Sequence, residues 1–305
     1  IIDEYQDCIV QQHGVMIRLS ELLPTCVLGD EMQAIFGWGG NVLVDWASDV
    51  AVRFPPLGDL QTPWRWNNAC CTNFGQWLLW VRTALRDGLP IDLRESPEEV
   101  TWIQITGPDD IQALTKAAYT ASPIVDGGAL IVCDSRMPHR HRDIASRVKG
   151  AVVVENADLT DLIRFAEMFD FTAPDAAHKL IDFAASTLTG VGAAQLKQRL
   201  AVLLAGTQQK GPNEVEHAAL EFARAPVPAS ALELLVEINR QAGVSPLRPA
   251  ILRSCIQALN NSALPDDFHD MAVRAREQSR VLGRSVPRRA VGSTLLLKGL
   301  EADVS

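Results

Sequence analysis

Two adjacent acids, Asp3 and Glu4, follow Ile1 and Ile2 in the run IIDEYQDC. Apolar residues running into acids read as the buried end of a strand that delivers paired carboxylates to a surface. Such a pair suits a Mg²⁺–nucleoside triphosphate. One acid holds the metal through water, and the other orients or deprotonates the attacking water. Further along, Leu28–Gly40 reads LGDEMQAIFGWGG, and the overlapping run CVLGD, Cys26–Asp30, reads as a second strand end with an acid, Asp30, followed by the amide of Gln33. Parallel strands ending together would place these groups on one sheet edge, where open α/β sheets bind ligands. A lone Asp-Glu dipeptide is most often solvated surface. DEYQD with GDxxQxIFGWxG at this spacing is a far more specific pattern.

The elements that must position these groups follow from periodicity and from turn residues. A helix is expected over Gln12–Leu23 and a helix start over Asn41–Ala47, before the Pro/Gly-rich connection Phe54–Gly58. Asn67–Leu85 reads as an amphipathic helix rich in Trp and Leu. Val100–Thr106 (VTWIQIT), a helix near Asp109–Ala121, Gly128–Cys133 (GALIVC), a helix over Pro138–Lys149 and Ala151–Glu155 (AVVVE) then alternate as a parallel sheet requires. From Asp158 to Ser279 strand signals disappear in favour of Ala- and Leu-rich helical spacing. Breaks fall at Gly190–Gly192, Gly206–Pro212, Pro226–Pro228, Gly243–Pro249 and Pro265. A last strand is expected over Ala290–Leu297, with KGLEAD at its end. The fold class is α/β.

A chain of 305 residues with 47% hydrophobic residues has enough material for two domains with their own cores. No apolar run reaches membrane-spanning length, and no secretory signal pattern opens the sequence, so a cytoplasmic protein without a membrane partner is expected. The cysteines Cys8, Cys26, Cys70, Cys71, Cys133 and Cys255 lack metal-site spacing and read as buried reduced thiols. A net charge of −9 is no signature of a generic nucleic-acid coat. Two basic clusters stand out locally: Arg274, Arg276, Arg280, Arg284, Arg288, Arg289 and Lys298, and Arg136, His139, Arg140, His141, Arg142, Arg147 and Lys149. Either could follow phosphates, and a solvated helix face accounts for them equally well. His139 and His141, without a third ligand nearby, read as surface residues.

The two acidic blocks resemble motifs II and III of superfamily 1 helicases of the UvrD/Rep/PcrA type, whose patterns run DExQD and GDxxQxIYxWRGA. Thr62–Asn67, TPWRWN, resembles the segment around that family's Tyr-Arg-Ser, and Thr294–Asp303, TLLLKGLEAD, resembles motif V, TxHxxKGLEFD. The blocks occur in family order and frame the chain, while the long middle is matched by position alone. The resemblance implies parts of two RecA-like P-loop NTPase domains with a helical insertion in the second. On that reading 1–60 is the C-terminal part of the first, ATP-binding domain and 61–157 the first part of the second. Residues 158–283 are the insertion, and 284–305 return to the second domain.

Residue by residue, the resemblance makes Asp3 the Mg²⁺ ligand and Glu4 the catalytic base. Gln33 senses the γ-phosphate, with Asp30 supporting the turn before it, and Arg65 reaches the γ-phosphate. Trp64, in place of tyrosine, stacks on adenine, and Glu301 lies near the ribose. Trp38 is a platform for a DNA base, a contact worth about 1–3 kcal/mol per base with little sequence preference. Thr294 and Lys298 lie close to the DNA backbone and the cleft between domains. The implied activity is ATP- and Mg²⁺-dependent movement on single-stranded DNA, with unwinding at duplex junctions.

Three positions depart from the pattern. Trp-Arg-Gly-Ala is here Trp38-Gly39-Gly40-Asn41, the serine after Tyr-Arg is Trp66, and the motif V histidine is Leu296. These positions serve coupling between hydrolysis and movement, whereas the nucleotide-site residues are better kept. The sequence holds no G-x-x-x-x-G-K-[ST] loop. The family carries that loop before motif II and an arginine-bearing motif VI after motif V. The expectation is therefore a segment of a longer motor, inactive as an ATPase by itself. Two alternatives stay open: a helicase-derived DNA-binding scaffold that does not hydrolyse ATP, and a helicase-like subunit acting with a nuclease in a defence complex.

Overall fold

The computed structural model describes the chain except residues 38–39, 108–109, 123, 208–209, 283–286, 301 and 303–305. It divides into two compact units, Ile1–Gln104 and Ile105–Ser305. The architecture is α/β, with a small parallel sheet and many helices.

In the first unit the Ile2 and Val27 segments run parallel but pair too briefly to form regular strands. The Ile2 N–H donates to the Cys26 carbonyl at 2.8 Å, and the Leu28 N–H donates back to Ile2 at 2.8 Å. The first helix is Val10–Ser20, starting and ending earlier than its apolar pattern suggested. Leu22 and Leu23, which extended that pattern, are 80% and 61% exposed. No helix starts at Asn41. Asp45 instead accepts from the Ser48 N–H at 2.7 Å and opens a π-helical turn, Trp46–Val50, that runs into Ala51–Arg53. The single helix expected over Asn67–Leu85 is two helices, Trp64–Asn68 and Thr72–Arg86, broken at Cys70, whose φ of 60° is left-handed. The core of this unit is Tyr5, Val44 and Val50, with Ile2, Met16, Val27, Trp46 and Phe54 packed around them.

VTWIQIT forms no strand, contrary to its alternation. Trp102 and Ile105 are 64% and 45% exposed. An extended segment needs a partner ladder to become a strand, and none pairs with this one among the described residues. The strands of the second unit are β1 (Ala129–Cys133), β2 (Ala151–Val153), β3 (Leu188–Thr189), β4 (Ser245–Pro246) and β5 (Arg289–Ser293). β1, β5 and β2 form a parallel sheet in that order, with Ala129 and Ala151 both opposite Arg289. The last strand in sequence is thus the middle one in space. Its Ala290 and Val291 are completely buried, as a strand covered on both faces requires. β5 ends at Ser293, earlier than expected. The Ser293 hydroxyl accepts from the Leu296 N–H at 3.4 Å and caps a helical turn, Thr294–Leu297, so KGLEAD follows a helix rather than a strand.

Between β2 and β5 lie helices Thr160–Met168, Ala176–Thr187, Ala193–Leu204, Glu214–Arg224, Pro228–Arg240, Pro249–Asn261 and Phe268–Leu282. Strands are not wholly absent here, since β3, just before the expected break at Gly190–Gly192, pairs antiparallel with β4, inside the one at Gly243–Pro249. A Cβ on Gly190 would sit 2.4 Å from the Gly243 carbonyl oxygen, so only glycine allows this approach. Arg248, 6% exposed, ties the block to the end of β2. It donates to Glu155 at 2.6 and 2.8 Å and to Asp161 at 2.7 Å.

Candidate functional site

The parallel pairing of Ile2 with Val27 brings the Asp3–Asp7 and Asp30–Gln33 segments to one edge of the first unit. Asp3 and Glu4 are both exposed there. The Asp3 Oδ1 accepts from the Glu4 N–H at 2.8 Å, and Glu4 has left-handed backbone angles, φ 56° and ψ 35°. That conformation is uncommon outside glycine and is tolerated where surrounding contacts enforce it.

Those contacts come from Gln6, which is 4% exposed. Its Nε2 donates to Glu4 Oε2 at 2.5 Å, and its Oε1 accepts from the Asp30 N–H at 2.9 Å. Asp7 adds a second link, accepting from the Ile35 N–H at 3.2 Å. Gly29 permits the approach: a Cβ there would lie 2.7 Å from the Trp46 ring and 2.8 Å from Gln6 Oε1. Asp30 in turn caps the turn Glu31–Gln33 by accepting from the Met32 N–H at 3.0 Å. Its Oδ2 accepts from Gln33 Nε2 at 2.8 Å and also from Arg82. Burial by itself would raise the Asp30 carboxyl, but hydrogen bonds from Arg82 and Gln33 outweigh it and hold the pKa below its ordinary value.

Asp3, Glu4, Asp30 and Gln33 are therefore joined in one hydrogen-bonded cluster. Arg65 and Trp64 sit on helix Trp64–Asn68, where the Trp64 indole is 68% exposed and serves no core. This helix is seated on Thr72–Arg86, since a Cβ at Gly75 would meet Trp66 Cβ at 2.8 Å and Pro63 at 3.0 Å. Thr294 is exposed and Lys298 half-buried around the turn after β5, in the other unit. Trp38 and Glu301 lie outside the described residues. Gln6, Asp7 and Arg82 were not singled out from sequence. The first two stand inside the DEYQD block, and Arg82 carried only the spacing that puts it on one helix face with Gly75.

No group of three or more His, Cys, Asp or Glu side chains that could hold a metal occurs among the described residues. Mg²⁺ needs no such cage, because it enters with substrate phosphates and takes one or two carboxylates from protein. An exposed Asp3 beside an oriented Glu4 fits that mode.

The basic clusters are partly neutralised. Arg280 pairs with Asp158 and Glu277, Arg276 with Glu277, and Arg288 with Asp126. Arg289 donates to the Ala118 and Thr120 carbonyls at 2.5 and 3.1 Å. Arg284 lies outside the described residues. His141 is not a surface residue: it is 4% exposed, with its ring nitrogen 3.0 Å from the Asp134 carbonyl oxygen. Of the cysteines only Cys255 is buried, and burial pushes its thiol pKa up, whereas Cys70 is exposed. An open groove of about 750 Å³ between Glu214–Arg224 and Pro228–Arg240 is lined by Glu214, Glu221, Glu233 and Glu237. His217 and Arg240, the latter paired with Glu237, line it as well, and the remaining carboxylates leave an acidic lining that disfavours a polyphosphate.

No helix among the described residues is long and apolar enough to cross a membrane. No family model, curated protein or solved structure matches the chain.

Proposed function

We propose that this chain is part of an ATP-dependent DNA helicase or translocase of the UvrD-like superfamily 1 type, with RecA-like domains, and that its first unit carries the hydrolytic half of the nucleotide site. The observation that supports this most is the stitching of two separate sequence blocks into one cluster. Gln6 bridges Glu4 to Asp30, and Asp30 holds Gln33.

In this reading Asp3 holds Mg²⁺ together with the ATP phosphates. Mg²⁺ held there would supply charge neutralisation at the phosphates. Glu4, aimed by Gln6, accepts a proton from the attacking water. Gln33 hydrogen-bonds the γ-phosphate end, Arg65 adds a guanidinium to the charge spread over the transferring group, and Trp64 offers its exposed face to adenine. Trp38, Thr294 and Lys298 serve single-stranded DNA, and Glu301 serves the nucleotide. A phosphate-binding loop must come from residues other than those in this sequence.

The test is Glu4→Gln in the full-length product of the gene, assayed for DNA-stimulated ATP hydrolysis and for binding of a fluorescent ATP analogue with Mg²⁺. Loss of a general base predicts a fall of about 10²–10⁴-fold in turnover, with binding retained. Unchanged hydrolysis would sink the assignment of Glu4, and a wild-type protein that binds no nucleotide would sink the whole reading. A second reading, a DNA-binding scaffold without turnover, is favoured by Gly39, Trp66 and Leu296 at the coupling positions. Wild-type binding of nucleotide without hydrolysis selects it.

A further inference from the structure

Arg82 and Gly75 share one helix, Thr72–Arg86, and serve two different parts of the first unit. At Gly75 the helix receives Trp66 and Pro63, the residues flanking Trp64 and Arg65, with no room for a Cβ. At Arg82, about 10.5 Å further along the axis, the guanidinium donates to Asp30 Oδ2. That same oxygen accepts from Gln33 Nε2 at 2.8 Å. The other Asp30 oxygen caps the turn through Met32, so a charge placed on Asp30 fixes both the turn and the Gln33 amide. The Asp30 side chain is 22% exposed and that of Arg82 44% exposed. The pair is open to solvent on the Arg82 side, so it is screened by salt and leaves no buried charge stranded if broken.

We propose that Arg82 is a positioning residue that couples the Arg65-bearing segment to the Asp30–Gln33 turn through the rigid helix Thr72–Arg86. The sequence has Gly39 where the helicase pattern has arginine, and Arg82 supplies a guanidinium to the same block from a different element. Arg82 contacts no substrate in this scheme. It sets where Gln33 and Arg65 stand relative to each other within one unit. That these two residues attend the γ-phosphate rests on the function proposed above, whereas the mechanical link does not.

The experiment is amide hydrogen exchange on the chain itself for wild type, Arg82→Gln, Arg82→Lys and Arg86→Gln. Arg86 serves as control because its partner is its neighbour Asp87 on the same helix end. Arg82→Gln is expected to speed exchange about five-fold both at Met32–Ala34 and at Trp66–Cys71, the size of effect a partly exposed ion pair supports. Arg82→Lys restores both segments, and Arg86→Gln moves neither. Acceleration confined to Met32–Ala34 would show a local ion pair and overturn the coupling. Equal acceleration throughout the first unit, or in Arg86→Gln, would overturn it as well, as mere loss of stability. Titration of the full-length product with a fluorescent ATP analogue separates the two readings. If wild type binds none, the nucleotide assignment fails, while the exchange pattern still decides the link.

Discussion

Around Asp3 and Glu4 the apolar core consists of Tyr5, Val44 and Val50 with half-buried neighbours, and polar side chains close the structure. The block from Thr160 to Leu282 is built the opposite way. Its interior gathers Phe169, Phe171, Phe183, Phe222 and Phe268 with completely buried Leu180, Ile181, Leu234 and Ile238. Phe165 stacks on Phe183 at 4.0 Å between ring centres. Aromatic burial of this kind is the largest favourable contribution per side chain. The helical block is thus the more heavily cored part, and none of the residues assigned to the nucleotide or to DNA lies in it. The thinly cored unit holds exposed acids, a left-handed glutamate and a solvent-facing Trp64. Low local stability where groups must rearrange around a ligand is an expected division of labour.

The sequence supplies separate probes for the two regions, because all seven tryptophans fall at or before Trp102. Tryptophan fluorescence reports the first unit, and the helical circular dichroism signal is dominated by the second. The largest expected effect is Phe222→Ala. Phe222 is fully buried and meets the Phe169 and Phe171 rings at 6.5 and 6.2 Å. Its truncation should cost about 3–5 kcal/mol. In urea the circular dichroism midpoint should fall steeply while the fluorescence midpoint stays. Coincident shifts of both probes would show one cooperative transition and erase the contrast.

Gly29→Ala tests the other side with a smaller effect. The added methyl meets Trp46 at 2.7 Å and Gln6 Oε1 at 2.8 Å. Relieving it must displace either the core indole or the bridge between Glu4 and Asp30. A cost of about 1–3 kcal/mol is expected, seen as a lower fluorescence midpoint with unchanged circular dichroism. A variant as stable as wild type would mean that the Gly29 seat is loose, and the tight stitching of the two blocks would go with it.

How much of this was readable beforehand depended on whether the signal was local. β1, β2 and helix Pro138–Arg147 follow directly from their apolar runs and from Pro138 at the first helical position. The proximity of the Asp3 and Asp30 segments was likewise expected from two apolar runs ending in acids. What could not be read were partners chosen by tertiary structure. VTWIQIT alternates like a strand, yet no strand pairs with it among the described residues. The break at Cys70 contradicts a continuous helical pattern, and nothing in its side chain signals a left-handed residue. Arg248 with Glu155 and Asp161, and Arg82 with Asp30, join residues far apart in sequence, where one chain alone offers no sign of pairing.

The smallest expected effect at neutral pH concerns Tyr5, and its pH dependence gives the comparison its finest resolution. The Tyr5 hydroxyl lies 2.7 Å from His13 Nδ1 inside the small core, edge-on to Trp46 and Phe54. Burial, aided by Cys8, pushes the phenol from its ordinary 10.0 up to about 12. Folding therefore favours the neutral phenol. The associated stability is fully present below pH 10.0 and is lost as pH rises towards about 12. Tyr5→Phe removes the titration together with the hydrogen bond to His13, and at neutral pH it should cost about 1 kcal/mol. Fluorescence-monitored urea midpoints plotted against pH should then converge: wild type starts higher and loses its advantage across that alkaline window. Curves that stay parallel to pH 12 would show that Tyr5 ionises without strain, and the hydroxyl would not be part of a dry core. The circular dichroism midpoint of the helical block should be the same in both proteins throughout, since Tyr5 belongs to the other unit. Convergence in fluorescence alone would place the alkaline weak point in the unit that carries Asp3 and Glu4, where a three-residue core gives burial of one phenol disproportionate influence.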